Sequence, residues 1–228
     1  MCRRAMLSTI MLVFVASTCG GSAIRPLGDA VGTHRVDPLT LVGPRSWLDG
    51  WPAEVEGGFI HVVVEIPTGG TDKWEVSKPD GKMRWEVVDG RPRVVQYVGY
   101  PGNYGMVPRT VLDAAAGGDG DPLDVLVLGP PRGRGAVMKV RPIGVLRLLD
   151  RGEQDDKILA VDPDGPFATV ENLSSLQERF PGVRLIVETF FSSYKGAAKT
   201  KLLGWAPPAE AWEIIRLASA TFQKKMAR

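Results

Sequence analysis

Apolar residues in the first half of the chain follow patterns that are typical of β-strands. The run Phe59–Pro67 (FIHVVVEIP) is rich in β-branched residues and is bounded by glycines and a proline, which predicts a strand. Glu65 lies at its apolar end, where a carboxylate needs a cationic or metal partner. The next segment, TDKWEV, predicts a second strand, because alternation places Lys73 and Glu75 on one face and Trp74 on the other.

Turn residues separate further short apolar runs. Asp89-Gly90 predicts a hairpin turn. Residues 136–150 (AVMKVRPIGVLRLLD) predict a long strand that bends near Pro142, and residues 158–161 predict another strand. Five or six short strands joined by tight turns favour a small closed barrel.

The pattern becomes helical in the last third of the chain. Residues 171–180 predict a short helix that ends at Pro181-Gly182, and residues 183–195 predict a second helix. Pro207-Pro208 opens a third helix, whose apolar residues form a mainly one-sided stripe that is typical of packing against a core. The sequence therefore predicts an α+β fold with a mainly β core followed by C-terminal helices.

The N-terminus differs from the rest of the chain. Residues 1–23 combine two arginines, an apolar run too short for a comfortable membrane span and a small-residue end, the layout of a secretory signal peptide cleaved after Ala23. Cys19 offers an alternative, a lipid anchor, although Thr18 before it departs from the lipoprotein pattern. A wrong start codon or a disordered tail is a third explanation. We therefore expect an exported protein, periplasmic or secreted, with no membrane span after leader removal.

Residues 24–57 are rich in glycine and proline and predict a mostly irregular N-terminal arm, with a short turn of helix or strand near Leu39–Leu48. Trp47 and Trp51 indicate that the arm packs on the domain or on a neighbouring subunit. No internal repeat or low-complexity linker follows, so residues 58–228 are expected to form one domain.

Charge and cysteine content exclude several classes of protein. The 228-residue chain has 28 basic and 26 acidic residues, a net charge of +2 and no basic stripe, so we expect no nucleic-acid partner. Cys2 and Cys19 both lie in the leader, so the rest of the chain has neither a disulfide nor thiol chemistry. The sequence contains no P-loop, GxGxxG, zinc pattern or Ser/His/Asp triad.

The strongest chemical signal is GGDGDPLDVLVLG, residues 117–129. Asp119, Asp121 and Asp124 lie within six residues of one another and lead into an apolar strand. Like charges this close repel unless cations lie between them, and all-oxygen sites suit hard ions such as Mg²⁺, Mn²⁺ or Ca²⁺. The alternative is a solvated Asp-Gly turn before a strand, which is a common feature.

A second acidic segment, DRGEQDDK (residues 150–157), contains Asp150, Asp155 and Lys157. By itself it is typical of an exposed charged turn. It follows one predicted strand and precedes another, however, so closure of the barrel would bring it to the same rim as the first cluster.

Seven blocks between Phe59 and Trp205 resemble, in the same order, those of the family I soluble inorganic pyrophosphatases: VVVEIP, DKWEV, YPGNYG, DGDPLD, RPIGVL, DxxxxDxK and FFSSYK. Seven ordered blocks are far more specific than one acidic string. The resemblance implies an OB-like five-stranded closed barrel flanked by C-terminal helices, with residues 58–228 as the catalytic domain. It also implies a homo-oligomer, often a hexamer in prokaryotic members, and a cytoplasmic location as the alternative to export.

The resemblance assigns a role to each matching residue. It places the general base at Asp121. The metal ligands, with one carboxylate that lines the site, would be Asp119, Asp124, Asp150, Asp155 and Glu65. The substrate-binding residues would be Lys73, Glu75, Arg93, Tyr104, Lys157, Tyr194 and Lys195. The family has a phosphate-binding arginine before the YP block, and without a gap its position falls on Pro92 in this chain. Arg91 and Arg93 flank Pro92, and we choose Arg93 for this role.

These residue types fit Mg²⁺-dependent hydrolysis of pyrophosphate to two phosphates, with several ions bound and Mn²⁺ as a substitute. Pyrophosphate is a highly charged anion, so metal ions and basic side chains must neutralise it before water can attack. Two other functions stay open at this point: a non-enzymatic barrel that binds Ca²⁺ or an anionic ligand, and a related phosphohydrolase that acts on polyphosphate or nucleotides.

Overall fold

The computed structural model describes residues 28–78, 80–113, 118, 120–196 and 199–227. The expected signal peptide at 1–23, with Cys2 and Cys19, and the candidate ligand Asp119 lie outside these residues. In the described part, strands dominate and the helices follow toward the C-terminus, which confirms a mainly β core with helices.

The strands in chain order are β1 (His34–Asp37), β2 (Thr40–Val42), β3 (Glu54–Val55), β4 (Phe59–Ile66), β5 (Trp74–Val76), β6 (Met83–Trp85), β7 (Val87–Val88), β8 (Arg91–Pro92), β9 (Asn103–Met106), β10 (Asp124–Leu128), β11 (Val137–Asp150), β12 (Glu153–Gln154), β13 (Lys157–Val161) and β14 (Thr200–Ala206). The helices are α1 (Leu173–Arg179), α2 (Val183–Ser193) and α3 (Pro208–Met226).

Backbone pairing connects the long strand β11 to the rest of the main sheet. The pairings run from β11 to β13, then to β10, β9 and β4, and β4 in turn pairs with β11. Strands β10 and β13 are parallel, whereas the other pairs in this series are antiparallel. Register shifts in β11 between Pro142 and Gly144, where the sequence predicts a bend.

A smaller sheet carries the strand that contains Glu75. Its order is β1-β2-β6-β5, so strands from the N-terminal arm pair next to β6 and β5. The hairpin β7–β8 follows, and its turn residues Asp89 and Gly90 have positive φ values of 51° and 74°, as the sequence predicts. The strand expected near Leu39–Leu48 is β2.

Two hydrophobic clusters cover opposite sides of the strands in the main sheet. Leu126 and Leu128 pack with Phe190 and Phe191 of α2, whereas Val125 belongs to a cluster that includes residues of α3. This division follows from strand alternation, since successive side chains of β10 point to opposite faces. Ile215 and Ala218 of the last helix therefore face the core, as its apolar stripe predicts, whereas Leu217, another apolar residue of this helix, is exposed.

The arm packs against the domain through Trp47. This side chain is fully buried, and its Nε1 donates a hydrogen bond to the carbonyl oxygen of Gly135 at 3.0 Å. Strand β14, which pairs with β11, has no counterpart in the sequence prediction. Within the described ranges, no helix has both the length and the apolar character that a membrane crossing requires.

Candidate active site

Strand ends and the C-terminal end of α2 surround a cavity of about 1310 Å³. The described site residues that the sequence predicts all line it: Glu65, Lys73, Glu75, Arg93, Tyr104, Asp121, Asp124, Asp150, Asp155, Lys157, Tyr194 and Lys195. The remaining predicted ligand, Asp119, lies outside the described residues. Residues that are far apart in sequence therefore meet at one place.

Asp124 and Lys157 lie side by side because two neighbouring strands begin at the same level. Parallel pairing sets Val125 opposite Ile158, and the two charged residues immediately precede this pair. Lys157 Nζ donates to Asp124 Oδ2 at 2.5 Å and also contacts Asp155 Oδ1. Burial by itself lowers the pKa of Lys157, but the two carboxylates outweigh it and raise the pKa, so the ammonium stays charged.

The second acidic segment completes this charged cluster. Asp150 ends β11, and Lys195, just beyond α2, donates to its Oδ2 at 2.8 Å and to Asp155 Oδ2 at 3.4 Å. The other oxygen of Asp150, Oδ1, is buried and has no hydrogen-bond partner among the described residues. The residues at the tip of this turn, 151–154, are exposed, whereas its flanking residues Asp150, Asp155 and Lys157 are partly or fully buried in the cavity wall.

Glu65 reaches the site at an irregularity in β4. The pairing of β4 with β9 shifts register between Val64 and Ile66, so Glu65 is the extra residue of a bulge, a feature that re-aims a side chain. Its buried carboxylate accepts a hydrogen bond from the Val76 amide at 2.7 Å. Burial raises the pKa of Glu65 to about 8, against the opposing charge of Lys73.

Lys73 is a buried cation that also lines the cavity. It forms an ion pair with Glu75 at 2.7 Å, as their shared face predicts, and its Nζ lies 5.3 Å from the centroid of the Tyr104 ring. Burial alone lowers the pKa of Lys73, but neighbouring groups, Tyr100 and Glu75 first among them, raise it overall. A permanent positive charge therefore faces the cavity.

A cluster of aromatic rings supports the tyrosines of the site. The rings of Phe190 and Tyr194, one helical turn apart, stack at 4.9 Å with 9° between their planes, and Tyr100 packs against Tyr104 at 4.9 Å. Burial raises the pKa of Tyr104 and of Tyr194. Their hydroxyl groups thus remain protonated and can donate hydrogen bonds.

Two further predicted residues reach the cavity with partners of their own. Arg93 Nη1 contacts Glu86 at 2.7 Å, and Arg93 lines the cavity, whereas Arg91 lies on the exposed hairpin strand β8 and is not among the described lining residues. Asp121 is half-exposed and forms an ion pair with Lys78.

Lys78 is a cavity residue that the sequence analysis missed. It lies in the turn after β5, and its partner Asp121 belongs to the distant acidic loop. A lysine in a Ser-Lys-Pro-Asp-Gly turn carries no local sign of such a contact, so only the folded arrangement identifies it.

The donor set fits hard divalent cations. The described acidic side chains on the cavity wall offer only oxygen atoms, and one of these, Asp150 Oδ1, is buried without a partner. No group of three or more acidic, histidine or cysteine side chains among the described residues converges tightly enough to hold an ion as arranged. Lysine ammonium groups lie between the carboxylates instead, at Lys157 and Lys195.

Comparison with known proteins identifies the family. The inorganic pyrophosphatase family model matches residues 62–223. The inorganic pyrophosphatase of Caulobacter vibrioides is 37% identical over 164 residues, which is 70% of this chain and 87% of that protein. The inorganic pyrophosphatase of Rhodospirillum rubrum is 36% identical over 174 residues, which is 73% of this chain and 92% of that protein.

Solved structures agree with these matches. The crystal structure of inorganic pyrophosphatase from Thermus thermophilus has a TM-score of 0.65 at 28% identity, covering 78% of this chain and 99% of that one. The structure of inorganic pyrophosphatase from Schistosoma japonicum shares the fold, with a TM-score of 0.77 at 24% identity over 81% of this chain and 75% of that one. The chain therefore belongs to the inorganic pyrophosphatase family.

The position of Lys157 between two carboxylates generates a stability prediction. Lys157→Met leaves Asp124 and Asp155 without their shared cation, so we expect the free energy of unfolding in EDTA to fall by about 3–5 kcal/mol. Urea denaturation at neutral pH measures this change. The control is Lys201→Met, an exposed lysine on β14, for which we expect a change within about 0.5 kcal/mol. Equal values for the two variants would contradict the role of Lys157 as a buried counterion.

Proposed function

We propose that this chain catalyses the Mg²⁺-dependent hydrolysis of inorganic pyrophosphate to two phosphates. The observation that carries the proposal is the meeting of carboxylates with lysine, arginine and tyrosine side chains in one cavity. Carboxylates suit divalent ions and the basic groups suit phosphate oxygens, so the cavity offers both partners of a magnesium pyrophosphate substrate. Membership of the inorganic pyrophosphatase family supports the same reaction.

The cationic and phenolic side chains would bind the phosphate groups. Lys73 and Lys195 both line the cavity, so both ammonium groups would bind pyrophosphate oxygens there. Glu75 would act through its ion pair with Lys73, by fixing the ammonium group. The full substrate-binding set is Lys73, Glu75, Arg93, Tyr104, Lys157, Tyr194 and Lys195.

The carboxylates would hold the Mg²⁺ ions, with Mn²⁺ as a substitute. The proposed set is Asp119, Asp124, Asp150, Asp155 and Glu65. When bound, such ions supply charge neutralisation of the phosphates and lower the pKa of water. Lys157 and Lys195 already contact these carboxylates, so both lysines would divide their hydrogen bonds between the carboxylates and the substrate.

Asp121 would act as the general base. It lies before Pro122, which restricts its backbone, and its half-exposed carboxylate can reach water inside the cavity. It would accept the proton of the attacking water, or hold this water in line with the phosphorus–oxygen bond that breaks. The hydroxyl groups of Tyr104 and Tyr194 would donate hydrogen bonds to the departing phosphate.

The scaffold of this site would be an OB-like five-stranded closed barrel. The series of pairings that starts at β11 and passes through β13, β10, β9 and β4 returns to β11, which supports closure. A closed barrel would place the strand ends around one rim, where the charged residues meet.

Substitution of the proposed base tests the reaction. Asp121→Asn keeps the shape of the side chain but cannot take a proton, so we expect kcat for pyrophosphate to fall by about 10²–10⁴-fold. The measurement is phosphate release by protein that lacks residues 1–23, with Mg²⁺ and with EDTA, and EDTA should abolish the activity.

Glu153→Gln is the matched control for Asp121→Asn, because it removes one negative charge from the lining of the same cavity, at a residue outside the proposed site. We expect its kcat to stay near that of the wild type. Metal binding without turnover in the wild type would favour a binding module. Turnover of tripolyphosphate or ATP alone would favour the related phosphohydrolase.

We infer that the protein is exported, from the layout of residues 1–23. Fractionation of the native cell should recover pyrophosphatase activity outside the cytoplasm, and the mass of the mature chain should place its first residue after Ala23. A mass that corresponds to an acylated N-terminal Cys19, lost in Cys19→Ser, would instead indicate a lipid anchor. Activity confined to the cytosolic fraction would exclude export.

We also propose that the protein forms a homo-oligomer, a hexamer by its resemblance to the family. Light scattering of the purified protein, compared with a chain mass of 24.7 kDa before any cleavage, tests this proposal. A particle with the mass of a single chain at micromolar concentration would refute it.

A further inference from the structure

Lys73, Glu75 and Arg93 line one part of the cavity, the substrate-binding wall. A buried arginine that no catalytic role explains lies behind it. Arg134 is only 5% exposed and lies in the loop between β10 and β11. Its guanidinium group contacts Asp29 at 3.3 Å and Asp72 at 3.7 Å, and its Nε donates to the carbonyl oxygen of Glu65 at 3.2 Å. A buried guanidinium group with three partners from three separate segments fixes those segments relative to one another.

The partners of Arg134 flank the substrate-binding wall. Asp72 directly precedes Lys73, and the guanidinium carbon of Arg134 lies 4.7 Å from the centroid of the Trp74 ring, on the residue that follows Lys73. Lys73, directly before β5, lines the cavity, whereas Trp74 is fully buried and does not line it. Arg134 thus contacts both sequence neighbours of Lys73, and these contacts constrain the backbone that carries the lysine.

The same contacts reach the arginine of the site. Trp74 stacks on Trp85 with 5.4 Å between the ring centroids, and Trp85 Nε1 donates to the carbonyl oxygen of Arg93 at 2.8 Å. The amide of Lys73 donates to that same carbonyl at 3.0 Å. A continuous set of packed and hydrogen-bonded groups thus connects Arg134 with Lys73 and Arg93.

The N-terminal segment at residues 28–30 also contacts Arg134. The amide of Ala30 donates to the carbonyl oxygen of Arg134 at 2.7 Å, and the amide of Arg134 donates to Gly28 at 2.9 Å. Asp29 also accepts a hydrogen bond from Arg35 Nε at 2.7 Å, and the guanidinium carbon of Arg35 lies 5.0 Å from the Trp74 ring centroid. Asp29 thereby holds both cations that contact this ring.

We infer that Arg134 is a positioning residue for pyrophosphate hydrolysis, and that the segment around Asp29 completes the wall that binds substrate. Arg134 acts through Trp74 and Glu65 and does not itself touch the substrate. The inference deepens the proposed function and rests on it, because it assumes that Lys73 binds phosphate.

Arg134→Met tests the inference. We expect the KM for pyrophosphate to rise by roughly tenfold with a smaller change in kcat, since displacement of a binding residue removes interactions present in both ground and transition states. Asp29→Asn should change KM in the same direction and by less. Arg134→Lys keeps the charge but not the planar fork, so it should recover only part of the loss. The control is Arg132→Met, from the same loop, whose arginine pairs with Asp162 away from this wall, and its KM should equal that of the wild type.

Tryptophan fluorescence supplies a readout that needs no activity. Arg134→Met should shift the tryptophan emission maximum to longer wavelength. This shift should be absent when Arg134→Met is combined with Trp74→Phe and compared with Trp74→Phe alone. Thermal unfolding of each variant shows whether a raised KM comes from an unfolded protein or from a displaced Lys73 in a folded one. If Arg134→Met does not fold, Asp29→Asn and Arg134→Lys provide the same comparison.

The results distinguish a positioning role of Arg134 from a purely stabilising one. A lowered melting temperature with unchanged KM and kcat in Arg134→Met would mean that the arginine only stabilises the fold, and would overturn the inference. The same conclusion would follow if Arg132→Met raised KM equally. A wild-type protein that does not hydrolyse pyrophosphate would remove the proposed function and with it the role of Arg134 in that reaction, and the fluorescence comparison would then test only the contact between Arg134 and Trp74.

Discussion

The site depends on one electrostatic constraint, which is the balance of partly buried carboxylates by lysines. Asp124 and Asp155 could not both lie in a cavity wall as anions without a nearby cation, because their repulsion grows as water is removed. Lys157 provides that cation. The parallel pairing of β10 with β13 brings these groups together, since it starts both strands at the same level. The strand pairing that builds the sheet therefore also places Lys157 beside the carboxylates whose charge it balances.

The same balance supports the proposal that this cavity binds pyrophosphate together with Mg²⁺. Lys195 contacts Asp150 and Asp155, so the ammonium groups occupy the space between oxygen ligands. Divalent ions would supply the positive charge in that space, and the freed donors of Lys157 and Lys195 could then turn to phosphate oxygens. Under this proposal, one arrangement of side chains would stabilise the protein alone and would also bind an anion together with its metal ions.

Local sequence signals predicted the elements whose pattern is strong on its own. The β-branched run of β4 and the Asp89-Gly90 turn are examples, because alternation and turn chemistry act over a few residues. Strand β14 was missed, since most of its residues are exposed or only partly buried and its pairing with β11 decides its conformation. The positions of the site residues came from a resemblance of ordered blocks, because no local pattern can place Lys195 beside Asp150.

Contacts between distant segments are what the sequence could not supply. Lys78 and Arg134 lie in turns and loops with no periodic pattern, and each is defined by a partner far along the chain. Arg134 also changes how the N-terminal arm is understood. Trp47 is fully buried, and the arm strand β2 pairs with β6, which in turn pairs with the strand that contains Glu75. The arm thus packs against the strands that carry Trp74 and Glu75, and the carbonyl oxygen of Gly28 accepts a hydrogen bond from the Arg134 amide.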